Sequence, residues 1–249
     1  MPRINAALVM QYPLQSTIAR ASAHFQSILK VHNLEWVWQF VLENNTGCKN
    51  TYHNNEHMLQ VTRLAWELFH VDPAFGPDKA FRKNSLEILL VACMLHDFNH
   101  SGGELSDEEN IVLAIETGAE AIAGSLDNQF GDGFADRVID TLRVTQYPFV
   151  HLPDDALQRI IRDADALQSF EPNGVTLVME SLRMEMLGVL GYIPTHQEML
   201  DGQSKFINGL QLFTEAGEAI RTSMKQTMLD ACAAYVGLTQ GKDSENVAS

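Results

Sequence analysis

The chain has 249 residues, 45% of them hydrophobic, enough to bury one substantial core and too apolar for a disordered or collagen-like class. Acidic residues outnumber basic ones by 32 to 17, and the formal charge of −15 opposes binding to long nucleic acid, although a cationic centre can still reverse the field locally for a small phosphate ester. The longest apolar run, Ile88 to Leu95, is far shorter than the ~20 residues of a membrane span, and the first residues lack the apolar stretch of a secretory signal, so a cytoplasmic location without a membrane partner is expected.

Apolar residues recur at helical spacing almost throughout, as in Leu34, Val37, Trp38 and Val41, then Leu64, Ala65, Leu68 and Phe69. The pattern predicts helices over roughly 15–31, 34–45, 54–71, 78–97, 106–124, 133–145, 154–170, 173–190, 196–212 and 214–237. Ser106 and Glu109 have capping-box spacing ahead of one helix, and the linkers carry Gly and Pro. No run of strands appears, so the expected fold class is all-α, a compact multi-helix domain. It is expected to divide into N-terminal helices over 1–50 that pack on the core, a main helical domain over 51–238 and a disordered tail over 239–249. Cys48, Cys93 and Cys232 are odd in number and far apart, which argues against a disulfide framework.

Four of the nine histidines fall in two clusters, His53/His57 and His96/His100. On a helix, His53 and His57 would project from one face about one turn apart, and only one of them need be a ligand. His96 and Asp97 end the apolar run 88–95, which delivers a nitrogen and a carboxylate donor to a buried place. They either hold a divalent ion there or cap the helix and bond each other. A third element, Arg162-Asp163-Ala164-Asp165, puts two carboxylates about 200° apart on a helix, so only one of Asp163 and Asp165 can face a given site. The donors are nitrogen and oxygen without thiolate, which suits Zn, Mn, Fe or Co together with a second ion such as Mg.

These residues resemble a known family. Tyr52-His53-Asn54-Asn55-Glu56-His57 is similar to the YHNxxH signature of the class I cyclic-nucleotide phosphodiesterases, a branch of the HD superfamily of metal-dependent phosphohydrolases. Leu95 to Gly102 resembles their HDxxHxG motif, Ala164-Asp165-Ala166-Leu167 their last metal-ligand element, and Gln203-Ser204-Lys205-Phe206-Ile207 their QxxFI element. Glu109-Asn110 with Leu113-Ala114 resembles the segment that gives a glutamate near the site. The match runs in order from Tyr52 to about Leu212. Ser101 stands where the family has Pro, Gln168 where it has Asn, and the stretch from His100 to Glu109 is shorter. These departures bear on substrate choice.

The resemblance implies that His57, His96, Asp97 and Asp165 hold a first ion (Zn, Mn, Fe or Co) and that Asp97 also reaches a second (Mg or Mn). A hydroxide shared between the two ions would attack phosphorus while His53 protonates the leaving 3′ oxygen. Glu109 is expected near that water or against the His53 ring, and His100 behind the second ion's water shell. Gln203, Phe206 and Gln168 are expected to bind the nucleotide, with Gln203 on the base edge and Phe206 stacked on the ring. The implied function is hydrolysis of a cyclic nucleotide, with a small-molecule nucleotide as the partner. A nucleotidase acting on other nucleotides or cyclic oligonucleotides would use the same metal ligands without His53 or Gln203, and an inactive sensor would need no proton donor.

Overall fold

A computed structural model describes residues 18–73, 84–171 and 173–239. Among them every regular element is helical. In chain order they are α1 (Ile18–Val31), α2 (Glu35–Asn44), α3 (Asn55–Val71), α4 (Ser85–Leu95), α5 (Asp107–Ala114), α6 (Glu120–Phe130), α7 (Phe134–Leu142), α8 (Ala156–Leu167), α9 (Gly174–Thr176), α10 (Arg183–Leu190), α11 (His196–Gly209) and α12 (Glu215–Thr239). The all-α expectation therefore holds. The start of the helix expected over 78–97 lies outside the described residues, as does the tail beyond Thr239. No helix among the described residues is long and apolar enough to cross a membrane.

The centre of the molecule is α4. A helix that is apolar on every side cannot rest on a surface, and from Ile88 to Leu95 each side chain of α4 is buried. It is wrapped by α2, α3, α7 and α8. Fully burying one Leu, Ile, Val or Met side chain contributes ~1.5–3 kcal/mol, so this helix is fixed firmly, and the residues that follow it inherit that position. Phe25 and Leu29 from α1 and Leu34 at the N-cap of α2 belong to the same buried cluster as α4.

Two joins depart from plain α-helix. Ile115–Ala119 and Leu177–Leu182 are π-helical, linking α5 to α6 and α9 to α10 as continuous rods. Gly118 in the first of them lies against Phe98, where an added Cβ would come within 3.1 Å of the ring. Apolar spacing alone carries no signal for such wide turns, so the sequence pattern reads as unbroken helix through both.

Caps set the ends that matter for the site. Asn54 accepts from the backbone N–H groups of Glu56 and His57 and starts α3. Asp155 caps α8, and Ser106 with Glu109 and Thr195 with Glu198 form capping boxes on α5 and α11. Inside α8, buried Asp163 accepts hydrogen bonds from the backbone N–H groups of Phe213 and Thr214 and from the Thr214 hydroxyl. This carboxylate staples the corner between α11 and α12 to α8. Its burial pushes its pKa up to about 6, with the hydrogen bonds from Thr214 and Phe213 pulling the other way.

Candidate metal and acid–base site

Three helices meet at one cluster of donors. α3 supplies His57 from its first turn, the end of α4 supplies His96 and Asp97, and the last turn of α8 supplies Asp165. His57 Nε2 stands 3.0 Å from Asp97 Oδ2, 3.4 Å from Asp165 Oδ1 and 3.2 Å from His96 Nε2. His96 Nε2 is 3.2 Å from Asp97 Oδ2 and 3.8 Å from Asp165 Oδ1. The alternative left open for α8 is thereby decided by geometry: Asp165 faces the cluster while Asp163 serves the α12 corner.

His96 Nδ1 lies 2.8 Å from the Cys93 carbonyl. That acceptor requires a proton on Nδ1, which leaves Nε2 with its lone pair turned toward the cluster. Two imidazole nitrogens and two carboxylate oxygens converge here, and although burial opposes charging His96, Asp97 and Asp165 raise its pKa. Burial works against charging the His57 ring, yet Asp165 and Asp97 together lift its pKa to about 10. Burial likewise opposes ionisation of Asp97, but His96 and His57 hold its carboxyl well below the usual carboxylate range. The cluster is thus suited to a cation, of which a proton on His57 is the smallest.

The donor spacing fits a metal ion. Ligands about 2.1 Å from an ion at angles between octahedral and tetrahedral lie roughly 3.0–3.4 Å apart, close to the observed separations. His57, His96 and Asp97 thus form a group able to hold a metal ion.

Beside this cluster lies the His53 imidazole. It precedes the N-cap Asn54, so His53 and His57 do not share a helix face as the i, i+4 spacing suggested. Their rings nonetheless approach to 5.6 Å between centroids. His53 Nδ1 is 2.6 Å from Glu185 Oε2, while Glu185 Oε1 accepts from the backbone N–H groups of Tyr52 and His53. Burial favours the neutral acid at Glu185, but His53 and these backbone donors hold its pKa down. His100 stacks on His53 at 3.9 Å between ring centroids, and burial together with His53 pulls the His100 pKa down to about 4.

The loop from His100 to Gly103 is braced from two sides. Asn50 Nδ2 donates to the carbonyls of both His53 and His100. Gly102 and Gly103 have φ of +70° and +97°, and an added Cβ would sit 2.8 Å from Asn50 Oδ1 and 2.7 Å from the Glu185 carbonyl, respectively. Only glycine fits both the backbone conformation and the space.

The remaining expected site residues fall out differently. Glu109 is exposed and its carboxylate accepts from the Ser106 backbone N–H and hydroxyl. It is not the acceptor on the His53 ring; Glu185 is. A helix cap and an acid–base partner cannot be served by one short side chain facing two ways. Gln168 is fully buried: its oxygen accepts from Tyr52 OH at 2.7 Å and its Nε2 donates to Gln60 Oε1 at 3.0 Å. Its amide is spent on holding Tyr52, not presented to a ligand.

Gln203 is buried on α11, and its Nε2 has no hydrogen-bond partner. Phe206, one turn on, packs on the core and meets the half-exposed Tyr147 ring at 6.3 Å. The Tyr147 N–H in turn donates to Asp107 Oδ2. Burial raises the Asp107 pKa to about 6, with Asp97 and Asp165 adding to the effect. The segment carrying Tyr147 is held by Arg162, which donates to the carbonyls of Val144 and His151 and lies 3.5 Å from the centre of the Phe149 ring.

Glu185, Asp107 and Tyr147 escaped the sequence reading. A usable signal existed for Glu185, a lone carboxylate inside the apolar stretch Met184, Met186, Leu187. Nothing in the sequence tied it to His53.

No protein-family model and no curated protein matches this sequence. Solved structures do. The phosphodiesterase domain of the RhoPDE fusion protein from the choanoflagellate Salpingoeca rosetta superposes with a TM-score of 0.60 at 13% sequence identity, over 95% of each chain. The fold resembles that phosphodiesterase domain. At this identity the likeness extends to the arrangement of helices and not, by itself, to activity.

Proposed function

We propose that the chain is a metal-dependent phosphohydrolase of the HD type that cleaves the 3′ phosphoester of a cyclic mononucleotide. The observation that carries this reading is the meeting of His57, His96 and Asp97 within ligand distance of one another, with Asp165 3.4 Å from His57 and the His53–Glu185 pair alongside. The likeness of the fold to a phosphodiesterase domain supports it.

Under this reading His57, His96, Asp97 and Asp165 hold the first of two divalent ions and Asp97 also faces the second. Bound there, divalent ions supply a nucleophile from water near neutral pH and neutralise phosphoryl charge. The protein's own part is positioning and proton traffic. Glu185 fixes the His53 ring through Nδ1, leaving Nε2 to carry the proton toward the leaving oxygen. A pure binding protein has no use for such a pair. His100, held neutral by burial, packs against His53 without competing for that proton.

The unpaired Gln203 amide is costly to bury without a partner, on the order of 1–3 kcal/mol. A ligand acceptor such as a base edge would satisfy it, with Phe206 as the stacking wall. The test is turnover of cyclic mononucleotides, nucleoside monophosphates and cyclic oligonucleotides by protein reconstituted with Mn or Zn and Mg. Cleavage of the cyclic mononucleotides alone supports the proposal. Cleavage confined to the monophosphates or oligonucleotides replaces it.

A further inference from the structure

His53, His100 and Glu185 form a second convergence of donors, distinct from the one that joins α3, α4 and α8. One ligating atom from each lies within 4.8 Å of the others. Apart from His53 Nε2, the other side-chain polar atoms of the group already have partners. His100 Nδ1 accepts from the Gly102 N–H, which leaves Nε2. Glu185 Oε1 is taken by the Tyr52 and His53 backbone, which leaves Oε2. Oε2 and His53 Nδ1 share one proton across 2.6 Å. His100 and Glu185 are buried and His53 is partly exposed, so the group is closed on the protein side and reachable through His53.

Two imidazoles and one carboxylate is a donor set that zinc takes in known catalytic sites, and one that Mg, which prefers oxygen ligands and its own water, does not favour. We propose that His53, His100 and Glu185 bind an additional Zn2+ ion that inhibits the enzyme. Zinc takes the place of the shared proton, which departs to solvent. With the cation on Nδ1, the ring keeps only the proton at Nε2, and losing that one would leave an imidazolate. The ring is then too weak an acid to protonate a leaving oxygen. The His57 cluster stands only one ring contact away, so repulsion between cations makes this site fill after the first. The inhibitory part of the inference rests on His53 as proton donor; the binding part does not.

The experiment uses the full chain, stripped of metal and titrated with Zn2+ in excess Mg2+, with bound zinc read by equilibrium dialysis and the histidine ring resonances read by NMR. The parent is expected to take one zinc equivalent that moves the His57 and His96 signals, then a weaker equivalent that moves those of His53 and His100, with turnover falling as the second fills. His100→Asn keeps an acceptor toward Gly102 and lacks Nε2. It should retain the first equivalent, which also reports an intact fold, and weaken the second by about tenfold or more, with the inhibition midpoint shifting equally. The site is refuted if His100→Asn takes the second equivalent at the parent's free zinc, or if the parent's His53 and His100 signals stay fixed throughout. A second equivalent bound at this pair by a chain that cleaves no phosphodiester leaves the site standing and overturns the function proposed above.

Discussion

His53 Nδ1 and Glu185 Oε2 meet at 2.6 Å across 132 residues of sequence. Glu185→Gln keeps the shape and one acceptor oxygen but removes the carboxylate charge that faces the His53 ring. The expected result is a fall in kcat of about 10- to 100-fold with KM little changed. With an activated p-nitrophenyl phosphodiester, whose leaving group needs no proton, the loss should be much smaller. An equal loss on both substrates would reduce Glu185 to a packing role.

Asp163 and Asp165 sit two positions apart and do opposite work. Removing Asp163 orphans the N–H groups of Phe213 and Thr214 and the Thr214 hydroxyl. Asp163→Ala should therefore lower unfolding free energy by about 2–3 kcal/mol while metal content is kept. Asp165→Ala should instead lose metal, and in the metal-free chain it should lower the His57 pKa and shrink the stability that the protonated ring contributes. Urea denaturation and elemental analysis of both variants decide the matter.

These two residues also show what could be read from sequence. The run Ile88 to Leu95 ending in His96-Asp97 announced a buried helix with two donors at its tip, and the structure has that helix at its centre. Helical periodicity likewise gave the all-α architecture. A helical wheel could say only that Asp163 and Asp165 diverge; which one faced inward to the other donors depended on where α12 packs. The acceptor for His53 was not legible because it arrives on α10, and the resemblance of Glu109-Asn110 with Leu113-Ala114 to a family segment pointed to Glu109 instead. The partners of Gln168 were not legible for a similar reason: Tyr52 and Gln60 come from another helix and its approach.

The His57 pKa of about 10 makes a prediction for the metal-free protein. Its folded value lies above the ordinary 6.5, so the protonated ring contributes stability that is complete below about pH 6.5 and is lost as pH rises through about 10. The metal-free chain should lose on the order of a few kcal/mol of unfolding free energy over that window. Zinc replaces the proton, so the zinc-loaded chain should not show this decline. Parallel denaturation curves across the window check it.

Gln203→Leu tests the unpaired amide. Replacing a buried donor that has no partner by an apolar side chain of similar size should leave stability unchanged or raise it. For a substrate whose base accepts from that donor, KM should rise by about tenfold. A variant that loses stability and keeps KM would show that the amide serves the fold.

The central claim is that His57, His96, Asp97 and Asp165 gather a divalent ion for phosphodiester cleavage. The most direct measurement is the rate of cyclic mononucleotide hydrolysis by one preparation before metal stripping, after it, and after reconstitution. The account predicts hydrolysis that vanishes on stripping and returns with Mn or with Zn and Mg. A fully metal-loaded protein that leaves cyclic mononucleotides intact, or hydrolysis that persists without metal, contradicts it.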